Sequence, residues 1–289
     1  MNENPGNYLT KSPTYKRTTI KSKKKHKRKQ LIRATRYIFF WLLILCVAAL
    51  VKKTFFSFPT SSVPETILYS SESSDILADA NYSDYPASLL ELAEKKPETI
   101  AFVNNYGNYL ANLEDKSPIS ITKDYTPGEI PLFIQWDTRW GYEHYGDDFI
   151  AVNGCGPTAL SMVAVGLTGN TELNPKAIAD FSYEQGYLVE GRGSSWDLMT
   201  KGAETLGLTS EELPLNDDVI ISRLTNGNPI IASMRPGDFT TSGHFIVLTG
   251  IAPNGKIIVN DSDSLIRSNQ TWDLDTLTKQ IKNLWAFSS

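Results

Sequence analysis

The chain has 289 residues, of which 41% are hydrophobic and 21% charged, the balance of a globular protein, and this excludes a collagenous or wholly disordered chain. The formal net charge of −4 conceals an asymmetry: residues 1–36 carry twelve Lys or Arg against one acid, whereas 14 basic and 31 acidic residues follow position 53. The large acidic part is therefore expected to have no nucleic-acid partner.

The basic stretch 1–36 is densest from Lys21 to Lys29. Its simplest reading is a solvated cytoplasmic tail that fixes topology; a patch for anionic lipid heads is the other. Behind it lies Tyr37 to Val51, fifteen uncharged residues that reach roughly 22 Å as a helix against about 30 Å of hydrocarbon. With Lys52 and Lys53 snorkelling, and Phe55, Phe56 and Phe58 at the far interface, a transmembrane helix over 37–58 is long enough. The positive charge before it puts residues 1–36 in the cytoplasm and the later residues outside the cell, with the cell membrane as a partner. A cleaved signal peptide with Ala48-Ala49 near the cut is the alternative. Residues 59–84, rich in Ser, Pro and Asp, read as a spacer. From Tyr85 a period returns. Leu89, Leu90, Leu92 and Ala93, then Ile100, Phe102 and Val103, predict two short amphipathic helices broken at Pro97, within a helical N-terminal arm over 85–129 that packs on the main domain.

The main domain is expected over 130–289. Ile130 to Gln135 reads as a short strand, followed by a Gly- and Tyr-rich loop to Asp148. The run from Ala159 to Val165 is apolar on nearly every side, which predicts a buried helix opening at Pro157. Asn174-Pro175 opens a second helix that Gly186 closes, Ser194 or Ser195 caps a third ending before Gly207, and Asp217 to Thr225 forms a fourth. The pattern then turns to strands at Pro229–Met234, Phe245–Thr249 and Lys256–Asn260, the last two joined by a hairpin at Pro253-Asn254-Gly255. A short helix around Asp273 to Lys282 and a strand over Leu284 to Phe287 end the chain. Helices first and an antiparallel sheet afterwards predict an α+β domain.

Cys46 lies in the membrane segment, so Cys155 is the one thiol outside it and no internal disulfide is available there. Within Asn153-Gly154-Cys155-Gly156-Pro157-Thr158, Cys155 stands at the mouth of the buried helix, where unpaired N–H groups and the positive end of the dipole favour thiolate, and Gly154 and Gly156 keep the approach open. A small core residue near a helix start is the bland reading of the same position. A thiol nucleophile requires an imidazole in hydrogen-bond reach. His144 sits in a loop and is expected to face solvent; His244 leads straight into the most apolar strand, which holds it at a sheet edge. No metal and no cofactor is expected, because neither His-Glu-x-x-His nor Cys-x-x-Cys occurs.

Gln135-Trp-Asp137-x-Arg-Trp140, Asn153-Gly-Cys-Gly-Pro-Thr158, Gly243-His244-Phe-Ile-Val and Val259-Asn-Asp261 occur in that order. Together they resemble the peptidase C-thirty-nine-like family, a papain-like cysteine peptidase fold related to the double-glycine leader peptidases of bacteriocin exporters. The resemblance covers about Ile130 to Phe287. It implies Cys155 as nucleophile, His244 as general base and acid, Asp261 as the group orienting the imidazole, and Gln135 as oxyanion-hole donor beside the Cys155 N–H. Two departures stand out. Ser262 follows Asp261 where many relatives have Pro, and no transporter is fused, so the leader-processing role does not travel with the fold.

Papain-like enzymes use either Asp or Asn as the third residue, and Asn260 adjoins Asp261. Parity separates them. A two- or four-residue turn in the hairpin makes partner numbers sum to an odd number, which puts Asp261 on the face of His244 and turns Asn260 away; a three- or five-residue loop reverses the choice. The resulting expectation is a membrane-anchored extracellular cysteine peptidase or amide hydrolase acting on a peptide or protein through a Cys155 thioester. An envelope-binding or scaffolding module on an inactive peptidase fold, and an acyl transferase that passes the thioester to an amine, are the alternatives.

Overall fold

The change to a period of two after Gly227 builds the centre of the molecule. The computed structural model describes residues 84–114 and 117–289. The expected tail, transmembrane helix and spacer fall outside the described residues, Asp84 excepted. Among the described residues no helix is long and apolar enough to cross a membrane.

Among the described residues ten strands form in chain order: β1 (His144–Tyr145), β2 (Asp148–Phe149), β3 (Leu188–Val189), β4 (Gly193–Ser194), β5 (Thr209–Glu212), β6 (Ile230–Met234), β7 (His244–Ile251), β8 (Ile257–Asn260), β9 (Thr271–Trp272) and β10 (Ile281–Ser288). Six of them make one antiparallel sheet in the order β5-β10-β6-β7-β8-β9, while β1-β2 and β3-β4 are separate ribbons. Alternation sorts the side chains. Ile231, Phe245 and Val247 pack with the Cys155–Thr168 helix on one face, and Ile230, Ala232, Ile246, Leu248 and Val259 pack with Ile220 and Leu224 of the Asp217–Thr225 helix on the other. Every residue of β6 is buried, Ser233 included, so both of its faces are covered and its sequence shows no alternation of polar and apolar residues. Each large aliphatic side chain removed from water contributes roughly 1.5–3 kcal/mol.

The helices start where their capping chemistry places them. Asn174 accepts from the Ala177 N–H ahead of Pro175–Glu184, and Asn216 accepts from the Val219 N–H ahead of Asp217–Thr225. The Cys155–Thr168 helix ends on Gly169 at φ 70°, the left-handed stop that glycine takes without steric cost. Several elements depart from the sequence expectation, and the Cys155–Thr168 helix opens two residues ahead of Pro157. Ile130 to Gln135 belongs to no ladder and ends in a turn at Gln135, because the Ile130 and Pro131 carbonyls accept from the Asn260 side chain and the Gln135 N–H donates to the Ser262 carbonyl. The helix capped by Ser195 breaks into a 3₁₀ turn, Trp196–Met199, and a helix, Lys201–Thr205, since Thr200 at φ −111°, ψ −90° cannot continue it. The last helix is only Leu274–Thr278, because β10 already pairs with Met234 at Ile281. Thr209–Glu212 pairs with β10 as an edge strand although its side chains show no apolar alternation.

The β7–β8 hairpin reaches the expected register by another route. Ile251 pairs with Ile257 across the five residues 252–256, the loop parity that would turn Asp261 away from His244. A bulge between Leu248 and Gly250 inserts one residue and shifts the ladder, so that Leu248 faces Val259 and Val247 faces Asn260. Continued by one residue, this register sets Asp261 opposite Ile246, on the face that carries His244.

The arm comprises helices Ala87–Lys95, Ile100–Asn104 and Tyr106–Ala111 with a 3₁₀ turn at Pro97–Thr99. Leu89, Leu92, Phe102, Val103 and Tyr106 pack against Tyr142, Phe149 and Ala151, immediately before the Cys155 helix. Its polar contacts are equally directed. The Lys96 ammonium bonds the Asp263 carboxylate, and Glu98 accepts from the Ser264 hydroxyl at 2.5 Å and the Ile266 N–H at 3.0 Å. The arm is thereby tied to the loop that follows β8.

Candidate active site

Cys155 is the first residue of a helix buried from Gly156 to Val165, yet it is itself only partly covered. The rigid helix fixes the sulfur at a surface cleft. Gly156 lets the β3-β4 ribbon lie against the helix start, for a Cβ there would overlap the Ser194 side chain. His244 opens β7 and is buried; its Nε2 lies 2.7 Å from Asp261 Oδ1. Cys155 and His244 line the same cleft, which has one lobe of about 770 Å³ and another of about 750 Å³ meeting at this pair. His144, by contrast, is exposed on β1, away from this cleft.

Asp261 is fully buried and held on every side. Its Oδ1 accepts from the Asp263 N–H at 2.8 Å, its Oδ2 accepts from Arg267 Nε at 2.5 Å, and its own N–H donates to Ser268 Oγ at 2.9 Å. Asn260 points the other way and donates to the Ile130 and Pro131 carbonyls, both at 3.1 Å. Gln135 lines one lobe of the cleft together with Cys155 and His244. Its Oε1 accepts from Ser262 Oγ at 3.0 Å and its Nε2 donates to the Ala151 carbonyl at 2.8 Å, a pair of contacts that fixes the amide orientation and leaves one N–H of Nε2 uncommitted. Of the four residues singled out from the sequence, Cys155, His244 and Gln135 therefore line one cleft, and Asp261 stands buried behind His244.

Sequence reasoning missed the groups that hold them. Arg267 sits six residues beyond Asp261 on the short helix Leu265–Ser268, whose cap Ser264 accepts from the Arg267 N–H at 3.1 Å. That cap was the available signal, because one helical turn after Ser264 folds Arg267 back over Asp261. Ser262, noted only as a departure from Pro, supplies the hydroxyl that orients Gln135. Nothing local could have announced Lys96 and Glu98, which reach the same loop from more than 160 positions away. Among the described residues, buried Asp263 Oδ1 and Arg267 Nη2 have no hydrogen-bond partner, and both residues line the lobe that holds Gln135. No group of His, Cys, Asp and Glu among the described residues is arranged to hold a metal ion.

Charge follows the geometry. Burial alone would push the His244 imidazole down, but the Asp261 carboxylate, by charge and hydrogen bond, and then the Cys155 sulfur raise it from 6.5 to about 10. Burial would push Asp261 up, and the His244 and Arg267 cations hold it instead at about 2, below the ordinary 3.8. A raised histidine stabilises the fold fully below 6.5, and its contribution drains away as pH climbs through about 10. A depressed aspartate contributes fully above 3.8 and loses its contribution as pH falls toward about 2. Both contributions are whole only between those ordinary values. The wild-type Tm is thus expected to fall from pH 6.5 toward 10, and His244→Gln to fall less over the same interval; equal alkaline losses in differential scanning fluorimetry would contradict the imidazolium assignment.

A family model described as "Peptidase_C39 like family" matches residues 128–288. No curated protein matches the chain.

Proposed function

The chain belongs to the C-thirty-nine-like peptidase family, and from that premise we propose that it is a membrane-anchored extracellular cysteine peptidase that cleaves a peptide or amide bond through a thioester on Cys155. The observation that carries this reading is the 2.7 Å contact of His244 Nε2 with Asp261 Oδ1, because it commits one ring nitrogen and leaves Nδ1 for the sulfur. The basic tail followed by the apolar segment 37–58 supports the anchor and the extracellular placement of the domain.

In this mechanism the Cys155 thiolate, paired with the His244 imidazolium, attacks the carbonyl carbon while the C=O electron pair moves onto oxygen. The oxyanion is met by the free Nε2–H of Gln135 and the Cys155 N–H at the helix start. His244 then gives its proton to the amine nitrogen as the C–N bond breaks, which leaves the thioester and a neutral imidazole. That imidazole takes a proton from water, the hydroxyl oxygen adds to the acyl carbon, and the thiolate departs with the carboxylic acid as product. Asp261 holds the ring in orientation throughout, and Arg267 holds Asp261.

Alkylation by iodoacetamide tests the pairing without a known substrate. At pH 6, Cys155 is expected to react at least about tenfold faster than free cysteine, and His244→Gln to abolish that advantage. A rate equal to that of free cysteine would favour the binding-module reading. A product ligated to an added amine would instead favour acyl transfer.

A further inference from the structure

The two lobes of the cleft differ in charge. The lobe that holds Gln135 is mixed, with four carboxylates, Asp148 and Asp263 among them, against three cations. The lobe on the other side of Cys155 and His244 is lined by Arg192, Arg235 and Lys282 and by no carboxylate. These cations arrive from separate elements. Arg192 is at the turn of the β3-β4 ribbon, its N–H bonded to the Val189 carbonyl at 2.9 Å; Arg235 follows β6, its N–H bonded to the Gln280 carbonyl at 2.7 Å; and Lys282 is on β10. All three side chains are exposed, and none has an ion-pair partner among the described residues. Of the acids next to this lining in the chain, Asp197 pairs with Lys201 at 3.0 Å, Asp238 accepts from Gln280 Nε2 at 2.7 Å and lines the opposite lobe, and Glu190, in the same turn as Arg192, is exposed and does not line the lobe.

This concentration runs against the rest of the chain, where 31 acids outnumber 14 bases after residue 53. Unpaired cations in a cleft repel one another and are otherwise spread over a surface, so their convergence next to the nucleophile points to an anion that completes them. The floor suits a polypeptide backbone. Gly191 and Gly193 leave the ribbon without side chains there, and Trp196, 40% exposed, offers a flat face held edge-on against Trp285 at 5.5 Å, with the Lys282 ammonium 5.2 Å from its centroid. We propose that this lobe is a subsite for an acidic segment of the polypeptide substrate, read by Arg192, Arg235 and Lys282 on one side of the scissile bond. The proposal rests on the peptidase reading of Cys155 and adds the substrate class to it.

The test is protection of Cys155 from iodoacetamide, a neutral reagent, by the decamers (Glu-Ser)₅, (Gln-Ser)₅ and (Lys-Ser)₅. The acidic peptide is expected to halve the alkylation rate at a concentration about tenfold lower than the neutral one, the scale of three exposed ion pairs. The difference should shrink in about 1 M NaCl, where charges are screened within about 3 Å. The combined variant Arg192→Gln, Arg235→Gln, Lys282→Gln is expected to erase the preference. A control that neutralises Lys176, Lys256 and Lys279, which pair with Asp180, Asp273 and Asp275 and line neither lobe, changes net charge equally and is expected to keep it. Equal protection by all three decamers, stronger protection by (Lys-Ser)₅, or a preference that survives the cleft variant would each overturn the proposal. Because the absolute alkylation rate reports activation of the thiol while the peptide ratio reports the lobe, the two readings fail separately.

Discussion

Cys155→Ala is expected to lower turnover of any substrate by a factor on the order of 10⁴ or more, to the residue that the oxyanion donors and binding alone provide. In the proposed reaction only the sulfur can form the thioester, and no second thiol lies outside the segment 37–58. Stability is expected to change little. Cys155 sits partly exposed at the helix start, so losing one sulfur removes less than about 1 kcal/mol of packing, about 2–4 °C in Tm. Kinetics on the purified variant, with circular dichroism to establish that it is folded, decide the matter. Retained turnover in a folded variant would remove Cys155 from the reaction.

The second large effect separates two neighbours. Asp261→Ala is expected to cut kcat by roughly 10- to 10⁴-fold, the upper figure being the scale of a mis-set imidazole tautomer. It also strips the Arg267 guanidinium of its buried partner, and removing one member of such a pair costs about 3–5 kcal/mol, so some loss of Tm accompanies the kinetic loss. Asp261→Asn guards against mere unfolding. It keeps the shape and one hydrogen-bonding oxygen, and is expected to remain folded with an intermediate kcat. Asn260→Ala should do the reverse: kcat little changed, but stability reduced by about 1–3 kcal/mol, because the Ile130 and Pro131 carbonyls lose their donor. If the larger kcat loss fell at Asn260, Asp261 would not be the third member.

Much of the domain was legible because local rules govern it. The buried helix behind Cys155, the strands Ile230–Met234, His244–Ile251 and Ile257–Asn260 and the helix Asp217–Thr225 follow from local pattern, and the helix start at Pro175 follows from its Asn cap. What failed had no local signature. Thr209–Glu212 is a strand only because β10 offers it an edge, and Ile130–Gln135 is not one because Asn260 and Ser262 take its hydrogen bonds first. The hairpin shows the difference most sharply. The expected turn was wrong, the loop of five residues alone would have turned Asp261 away, and the bulge near Thr249 restored the face.

By itself, then, the sequence determined the types of chemistry present and their anchoring to local elements: a thiol at the mouth of an apolar helix, an imidazole at the head of an apolar strand, an acid just past the next strand. Tertiary structure alone decided that these meet. It also decided that Arg267, Ser262, Lys96 and Glu98 brace them, and that Arg192, Arg235 and Lys282 share one lobe of the cleft. The physical reason is range. Backbone propensity and side-chain alternation act over a few residues and are written into neighbouring positions, whereas a hydrogen bond between Glu98 and Ile266 or a bulge in one ladder is chosen only when the whole chain has packed.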